Sequence, residues 1–436
     1  MHQRLLFDTT DCTPRQASAK IDSRAGSFVD NMKLPVHRWF RYSAGFSAEW
    51  VRTLLKEKGL AGTERVVLDP FAGIATTLAA CNSEHIKSIG LESHPFVSRL
   101  AETKLEICQR SVASLKKLFS EFLYQWKSSR IPPERKISPF LEKCYSPENI
   151  RELLSMKKTL EMGNMCEEDS RIIWFVITAI LRSCSCVGTA QWQYVLPNKK
   201  KINVRSPYEA FREKVEQIID DVARLRRDKV PALAQIVRTD ARNPSSLDKD
   251  SVDIVITSPP YPNNYDYADA TRLEMTFWNE IDGWSDLHAT VRASLLCSCT
   301  QHSAADRLRI DGVLSHPILV PIRSEIGVAC ETLGEIRKQK GGKKTYHTMV
   351  AAYFRDLGLI IRNLRQVCRP GAEMCFVIGD SAPYGIYIPV DHWLGQLAIA
   401  EGFHSFRFEK IRDRNIKWKN RKHNVPLKEG RLWIQG

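Results

Sequence analysis

Residues 252–261 have the sequence Val-Asp-Ile-Val-Ile-Thr-Ser-Pro-Pro-Tyr, a short β-branched run followed by two polar residues, two prolines and a tyrosine. The run 252–256 predicts a buried strand of a parallel sheet. Because proline cannot continue the ladder of main-chain hydrogen bonds, the chain must leave the sheet at the prolines with a stiff backbone. Such a strand end suits a flat, amine-bearing group: carbonyl and Ser258 hydroxyl oxygens can accept its hydrogens, and Tyr261 can stack on its face.

A second strand end comes earlier in the chain, where residues 65–68 predict a strand and residues 74–81 predict a helix. Between them lies Asp69-Pro70-Phe71-Ala72-Gly73, at the kind of strand-to-helix turn where α/β folds bind nucleotides. The turn lacks the G-x-G-x-x-G pattern, which disfavours a dinucleotide cofactor. Its glycine, Gly73, suits a smaller ligand lying over the turn.

Two further acidic residues follow predicted strands. Glu92 ends the next strand and can accept hydrogen bonds from both hydroxyls of a ribose. Asp240 follows a third strand and can accept from an exocyclic adenine amine. The series Asp69, Glu92, Asp240 and Ser258, each directly after a predicted strand, indicates one ligand site.

Together these motifs resemble those of amino-group DNA methyltransferases that use S-adenosylmethionine, of the cytosine-N4 type. Residues 69–73 are similar to the family's cofactor motif, and residues 257–261 to its catalytic motif. Residues 46–51, Phe-Ser-Ala-Glu-Trp-Val, resemble the segment that closes over the methionine end of the cofactor. The resemblance covers about residues 35–100 and 235–385. It implies a Rossmann-like α/β fold, with a mostly parallel sheet, helices on both faces and a largely helical insertion.

The resemblance also implies a role for each motif residue. The candidate cofactor-binding residues are Phe46, Ser47, Asp69, Pro70, Phe71, Ala72, Gly73, Glu92, Asp240 and Ala241. The candidate catalytic residues are Ser258, Pro259, Pro260 and Tyr261. In this scheme Asp69, Phe71 and Gly73 hold the methionine moiety, with Phe71 also near the base, while Glu92 takes the ribose and Asp240 the adenine.

The target base is expected to leave the duplex and enter the pocket, stacked on Tyr261. The Ser258 hydroxyl and the Pro259 carbonyl then accept the two amine hydrogens and orient the nitrogen lone pair, without deprotonation before attack. Serine at the first position of the catalytic motif favours cytosine as the target base, because members of this family that methylate adenine more often have Asp or Asn at that position. Residues 262–267 either line the same pocket or form a structural loop.

The alternatives are adenine-N6 DNA methylation, RNA base methylation, and a catalytically inactive cofactor-binding regulator of nucleic acid. Many cytosine-N4 enzymes place the catalytic motif before the cofactor motif, whereas here the cofactor motif comes first. The region that reads the DNA sequence is therefore open: the insertion 105–234 is favoured and the segment 282–350 is the rival.

The formal net charge of +14, from 64 Lys and Arg against 50 Asp and Glu, favours a polyanionic partner. We expect this partner to be double-stranded DNA. The candidate phosphate-binding residues lie in three basic stretches and are Lys199, Lys200, Lys201, Lys343, Lys344, Lys417, Lys419 and Arg421.

The predicted organisation has four parts, with an irregular region at 262–350. The parts are a polar N-terminal arm at 1–34, a cofactor-binding part at 35–104, a helical insertion at 105–234, and a catalytic part at 235–436 that contains the insertion 282–350 and a basic C-terminal tail.

The longest apolar run is too short to span a bilayer, and we expect a cytoplasmic protein. The 12 cysteines are scattered and predict reduced thiols and no metal site. Without a recognisable nuclease pattern, any cognate restriction endonuclease should act as a separate protein.

Overall fold

The computed structural model describes residues 29–42, 45–129, 137–190, 194–225, 234–243, 247–303, 308–342, 344–414 and 425–436. Four of the candidate phosphate-binding residues lie outside these ranges: Lys343, Lys417, Lys419 and Arg421. The same holds for most of the predicted N-terminal arm.

The described strands form a seven-stranded sheet and a separate two-stranded hairpin. They are β1 (Val66–Asp69), β2 (Lys87–Leu91), β3 (Val187–Thr189), β4 (Val195–Lys200), β5 (Ala234–Val237), β6 (Val252–Thr257), β7 (Cys368–Gly379), β8 (Ser405–Arg414) and β9 (Leu427–Gln435).

The order of the large sheet is β5-β2-β1-β6-β7-β9-β8. Its first five strands are parallel, and β9 runs antiparallel to both of its neighbours. β2 and β5 lie on one side of β1, and β6 and β7 lie on the other, so the direction in which successive strands are added reverses beside β1. Ligands of open α/β sheets bind at such a switch point, beyond the carboxyl ends of the strands. The mostly parallel α/β sheet predicted from the sequence is confirmed.

The described α-helices cover the sheet and form a helical region beside it. They are α1 (Ala48–Glu57), α2 (Thr76–Ser83), α3 (Pro95–Gln109), α4 (Val112–Ser128), α5 (Pro139–Cys144), α6 (Pro147–Met162), α7 (Glu167–Cys184), α8 (Pro207–Leu225), α9 (Arg272–Phe277), α10 (Ile310–Leu314), α11 (Arg323–Gln339), α12 (Tyr346–Val367) and α13 (Val390–Ala400). None of them is long and apolar enough to cross a membrane.

Helices lie on both faces of the sheet, because successive strand residues point to opposite sides. On β7, Cys375 and Val377 pack into the core that contains α1. Their neighbours Met374 and Phe376 pack into the core formed with α12 and α13. Near-continuous apolar strands are what a sheet covered on both faces requires.

The region 105–234 is mostly helical, as expected, and its core also reaches the segment after the catalytic motif. Arg182 at the end of α7 forms a salt bridge with the buried Glu274 of α9. The indole of Trp278 donates to Thr178 at 2.8 Å. One feature was not predicted, namely the β3–β4 hairpin that follows α7.

The expectation of an irregular segment at 262–350 was wrong for α11, which runs over 17 residues. Its buried side chains Ile326, Cys330 and Leu333 recur at helical spacing and face α12. Gly327 and Gly334 lower the intrinsic helix propensity, which obscured this pattern in the sequence.

The expected basic tail was also wrong in part, since residues 410–414 belong to strand β8. Among the described strands β8 pairs with β9 alone, and its residues are exposed or half-buried along its length. Charged residues are common on such an edge strand, and their density masked the alternation typical of a strand.

Gly90 on β2 leaves no room for a side chain under the cofactor turn. An added Cβ would lie 2.7 Å from Ala72 Cβ and 2.9 Å from Leu78 Cδ1. We expect Gly90→Ala to lower the free energy of unfolding by about 1–3 kcal/mol, because overpacking forces the neighbours to shift. Urea unfolding of the full chain measures this.

Gly327→Ala in α11 is the matched control, because nothing lies within 4 Å of a Cβ added there. We expect it to be neutral or stabilising by about 0.5–1 kcal/mol, since alanine is the better helix former. Equal unfolding midpoints for the two variants would contradict this account.

Candidate active site

A cleft with about 680 Å³ of empty volume, partly open to solvent, lies at the carboxyl ends of β1, β2, β5 and β6. The predicted site residues that line it are Pro70, Phe71, Gly73, Glu92, Asp240, Ala241, Ser258 and Pro260. The two motifs, separated by more than 180 residues in the chain, thus meet at one cleft.

Asp69 lies fully buried at the end of β1, where its carboxylate joins the two motifs. Its oxygens accept hydrogen bonds from the hydroxyls of Thr77 and Thr257, each at 2.6 Å, and from the backbone N–H of Phe71 at 3.1 Å. Burial raises the pKa of Asp69 to about 6, while the hydroxyl groups of Thr257 and Thr77 lower it. The carboxylate therefore fixes the cofactor turn, the start of α2 and the end of β6 relative to one another.

Glu92 connects the end of β2 to the same turn. Its Oε2 accepts from the backbone N–H of Gly73 at 2.8 Å, and its Oε1 accepts from the backbone N–H of His94 at 2.7 Å. Burial raises the pKa of Glu92 from 4.5 to about 7, although the hydrogen bonds from these two backbone N–H groups lower it. An ionised carboxylate has about four acceptor positions, so Glu92 retains acceptors for hydroxyl groups of a ligand in the cleft.

The turn itself requires glycine at position 73. Gly73 has a φ of +52°, in the left-handed region that side chains disfavour. An added Cβ would also lie 3.5 Å from the ring of Tyr42, which lines the cleft. The main chain therefore passes close to the ligand space at this residue.

Asp240 lies at the rim of the cleft and is held by Arg242. The guanidinium donates to Asp240 Oδ2 at 2.6 Å and to Asp356 Oδ2 of α12 at 3.0 Å. This bridge fastens the turn after β5 to the helix layer. Sequence reasoning missed Arg242, because its second partner lies more than 100 residues further along the chain.

The Ser258 hydroxyl has a defined direction. It donates to the carbonyl oxygen of Val377 on β7 at 3.2 Å. With the hydrogen used in this way, the Ser258 oxygen can still accept hydrogen bonds, and the Tyr261 hydroxyl is already one of its hydrogen-bonding neighbours. Pro260 lines the cleft beside it, and Pro259 is buried.

Tyr261 is held from the opposite edge of the sheet by Arg414 of β8. The guanidinium carbon lies 5.2 Å from the centre of the tyrosine ring, and its Nη1 donates to the carbonyl of Asp380 at 2.8 Å. Gly379 makes this contact possible, since a Cβ there would lie 2.6 Å from Arg414 Nη1 and 3.1 Å from Tyr261 Cε2. Burial raises the pKa of Tyr261, so the phenol stays neutral.

Several lining residues were not among the predicted cofactor or catalytic residues. They include Tyr42, Ser93, His94, Tyr267, Ser294, Leu295, Leu296 and Ile360. His94 directly follows the Glu92 region and could have been found by extending that motif. Tyr267 lies in the segment 262–267, which thereby contributes to the cleft wall. For Tyr42 and Ile360 the sequence carries no local signal.

Phe46 and Ser47 lie outside the cleft wall. Phe46 is buried with its ring 5.8 Å from that of Trp50, and Ser47 Oγ accepts from the backbone N–H of Trp50 at the start of α1. Their contact with a cofactor stays a prediction.

The described candidate phosphate-binding residues differ in their surroundings. Lys199 and Lys200 are exposed on β4, and Lys344 is exposed beside Tyr346. Lys201 instead donates to the carbonyl of Arg182 at 3.1 Å, where it caps the end of α7. Nucleic-acid contacts of all these residues stay predictions.

The raised pKa of Glu92 has a consequence for stability. The folded state holds the carboxyl proton of Glu92 more tightly than the unfolded state does. Protonated Glu92 therefore adds to the free energy of unfolding below pH 4.5, and this contribution is lost as the pH rises through about 7. The Glu92→Gln side chain cannot ionise, so its free energy of unfolding does not fall in this way. We expect the difference in free energy of unfolding, Glu92→Gln minus parent, to increase from pH 4.5 to about 7 and to level off above that pH. Denaturant unfolding of the cofactor-free chain at a series of pH values measures this difference, and a difference that is constant with pH would contradict the prediction.

The chain is similar to several known methyltransferases. The type II methyltransferase M.BsoBI of Geobacillus stearothermophilus is 24% identical over 426 residues, covering 89% of this chain and 82% of its own. The type II methyltransferase M.AvaI of a Nostoc species is 26% identical over 404 residues, covering 86% and 81%. M.MjaII of Methanocaldococcus jannaschii is 34% identical, but over 92 residues that cover 21% of this chain and 17% of its own. No protein-family model matches. The chain is thus similar to two type II methyltransferases over more than four fifths of its own length and of theirs.

Proposed function

We propose that the protein is a site-specific DNA methyltransferase that transfers a methyl group from S-adenosylmethionine to the N4 amine of cytosine in double-stranded DNA. It would serve a restriction-modification system, with a separate endonuclease as its counterpart. The observation that carries the proposal is the single cleft in which the Gly73 turn and Ser258 meet, joined by the buried Asp69 carboxylate. The similarity to two type II methyltransferases over most of the chain supports the same reaction class.

The cleft residues fit S-adenosylmethionine. Glu92 offers carboxylate acceptors for ribose hydroxyls. Asp240 lines the same cleft, and its oxygens, which accept from the main chain and guanidinium of Arg242, would be shared with an adenine amine. Phe71 and Tyr42 provide aromatic surface beside Gly73, where the main chain allows close approach. When bound, the cofactor supplies an electrophilic methyl group on a sulfonium.

Ser258 and Pro259 act by orientation in this mechanism. The Ser258 oxygen, whose hydrogen is directed at Val377, accepts one hydrogen of the target amine, and the Pro259 carbonyl accepts the other. Both bonds draw electron density toward the nitrogen and turn its lone pair toward the methyl group. Serine is too weak a base to remove a proton first, so the proton leaves after methyl transfer.

Tyr261 stacks on the base after the base has left the duplex. The contact with Arg414 keeps the ring in place before the base arrives. A pre-positioned ring lowers the entropic cost of holding a planar substrate.

The methylated nucleoside tests the base assignment directly. After incubation of the chain with duplex DNA and methyl-labelled cofactor, we expect digestion and mass spectrometry to yield N4-methylcytosine. N6-methyladenine would overturn the choice of base, and methylation of RNA in place of DNA would overturn the choice of substrate.

Ser258→Ala should lower kcat by about 10²-fold, as for loss of one preorganised hydrogen-bonding group, while the affinity for the cofactor stays unchanged. Ser251→Ala is the control, since it removes a hydroxyl at the opposite end of β6. A kcat of Ser258→Ala equal to that of the parent would contradict the role given to the Ser258 oxygen.

The exposed lysines of β4 allow a test of DNA binding. We expect the double variant Lys199→Gln, Lys200→Gln to weaken DNA binding and to reduce the slope of log affinity against log salt by about 2, because each phosphate contact releases about one counterion. The double variant Arg65→Gln, Lys87→Gln serves as the control, because both residues are exposed at the amino ends of β1 and β2, at the opposite end of these strands from the cleft. Equal slopes for the two double variants would exclude the β4 lysines from the interface.

A further inference from the structure

Three buried side chains next to the cleft form a cluster of metal-ligating type. The ligand atoms of Asp266, Cys299 and His302 all lie within 4.8 Å of one another. Asp266 belongs to the segment directly after the catalytic motif, whereas Cys299 and His302 lie more than 30 residues further along. The proposed methyl transfer uses none of the three.

Cys299 and His302 stand at the ends of a tight turn with two residues between them. The backbone N–H of His302 donates to the Cys299 carbonyl at 3.1 Å. The N–H groups of Gln301 and His302 also donate to the sulfur, while burial and the Asp266 carboxylate raise the pKa of the Cys299 thiol, so a metal ion would bind by displacing the thiol proton. Thiolate is the form of cysteine that binds metal. No metal site was predicted from the sequence, because no set of C-x-x-C or Cys/His pairs at matched spacing is present, and this single Cys-x-x-His pair was not considered together with Asp266.

His302 presents one nitrogen without a partner. Its Nδ1 pairs with the carbonyl oxygen of Leu296 at 3.0 Å, which places the proton on Nδ1 and leaves the lone pair on Nε2. The residue is 7% exposed, and Nε2 has no hydrogen-bond partner within the described residues. A carbonyl on Nδ1 and a free lone pair on Nε2 is the arrangement of most metal-bound histidines.

Asp266 is oriented in the way ligating carboxylates usually are. Arg292 donates to its Oδ2 at 3.0 and 2.7 Å, and the backbone N–H of Ala268 donates to Oδ1 at 3.1 Å. Oδ1 also accepts from the backbone N–H of Asp269 at 3.4 Å, and a metal ion at Oδ1 would replace this longer bond. Once a metal ion had displaced its proton, the Cys299 sulfur would add a second negative charge to that of Asp266, beside the Arg292 guanidinium.

We propose that Asp266, Cys299 and His302 bind one Zn²⁺ ion as its three protein ligands. One sulfur, one imidazole nitrogen and one carboxylate oxygen suit zinc, whereas Mg²⁺ and Ca²⁺ prefer oxygen alone. Binding would release the thiol proton of Cys299. The ion would fasten the segment 262–267, which contributes Tyr267 to the cleft, to the turn 299–302.

The test uses the full chain and needs no methylation assay, so its outcome is independent of the proposed function. We expect chain purified without chelator from zinc-supplemented medium to contain one zinc per chain by elemental analysis. After removal of the metal and addition of Co²⁺, we expect the thiolate-to-cobalt absorption band in the near ultraviolet.

Variants locate the site. Cys299→Ser should abolish the thiolate band and His302→Gln should weaken Co²⁺ binding at least tenfold, whereas Cys330→Ser, at a buried cysteine of α11, should leave both unchanged. The proposal fails if parent chain holds no zinc and develops no thiolate band at micromolar Co²⁺, a result that does not depend on whether the variants fold. It fails equally if the band persists in folded Cys299→Ser.

Discussion

The cleft depends on the buried carboxylate of Asp69. Three groups from different elements donate to its two oxygens: the Thr77 hydroxyl of α2, the Thr257 hydroxyl of β6 and the backbone N–H of Phe71. A buried carboxylate without these donors would carry a large desolvation cost, so its burial forces the turn and the two strand ends into one arrangement. The close approach of the two motifs is a consequence of satisfying this one group.

Around this centre, arginines from distant parts of the chain hold the cleft wall. Arg242 joins Asp240 to α12, Arg414 supports Tyr261, and Arg182 joins α7 to the segment after the catalytic motif. Arginine suits these positions because its planar, multiply donating head can bond two acceptors at once. The helical region beside the sheet is thereby connected to the segment that follows residues 257–261.

Much of the sheet was predictable from local signals. β2 ends at Leu91, directly before the Glu92 that was predicted to end it, and β6 extends the predicted strand 252–256 by one residue. β-branched runs that end in proline, or in an acidic residue before a helix, carry this information within a few residues. α11 and β8 were missed because glycines in one and dense charge in the other obscured the periodicity, while burial against α12 and pairing with β9 decide both structures.

The sequence by itself determined the strand ends and the chemical type of each motif residue, because propensity and proline geometry act over neighbouring positions. Only the tertiary structure decided which of these groups face the cleft. The Asp69 carboxylate is buried behind the cleft wall and hydrogen-bonded there, whereas Glu92 lines the cleft. Lys201 caps the end of a helix, although the adjacent Lys199 and Lys200 are exposed. Burial and long-range hydrogen bonds set these differences, and both depend on contacts between residues far apart in the chain.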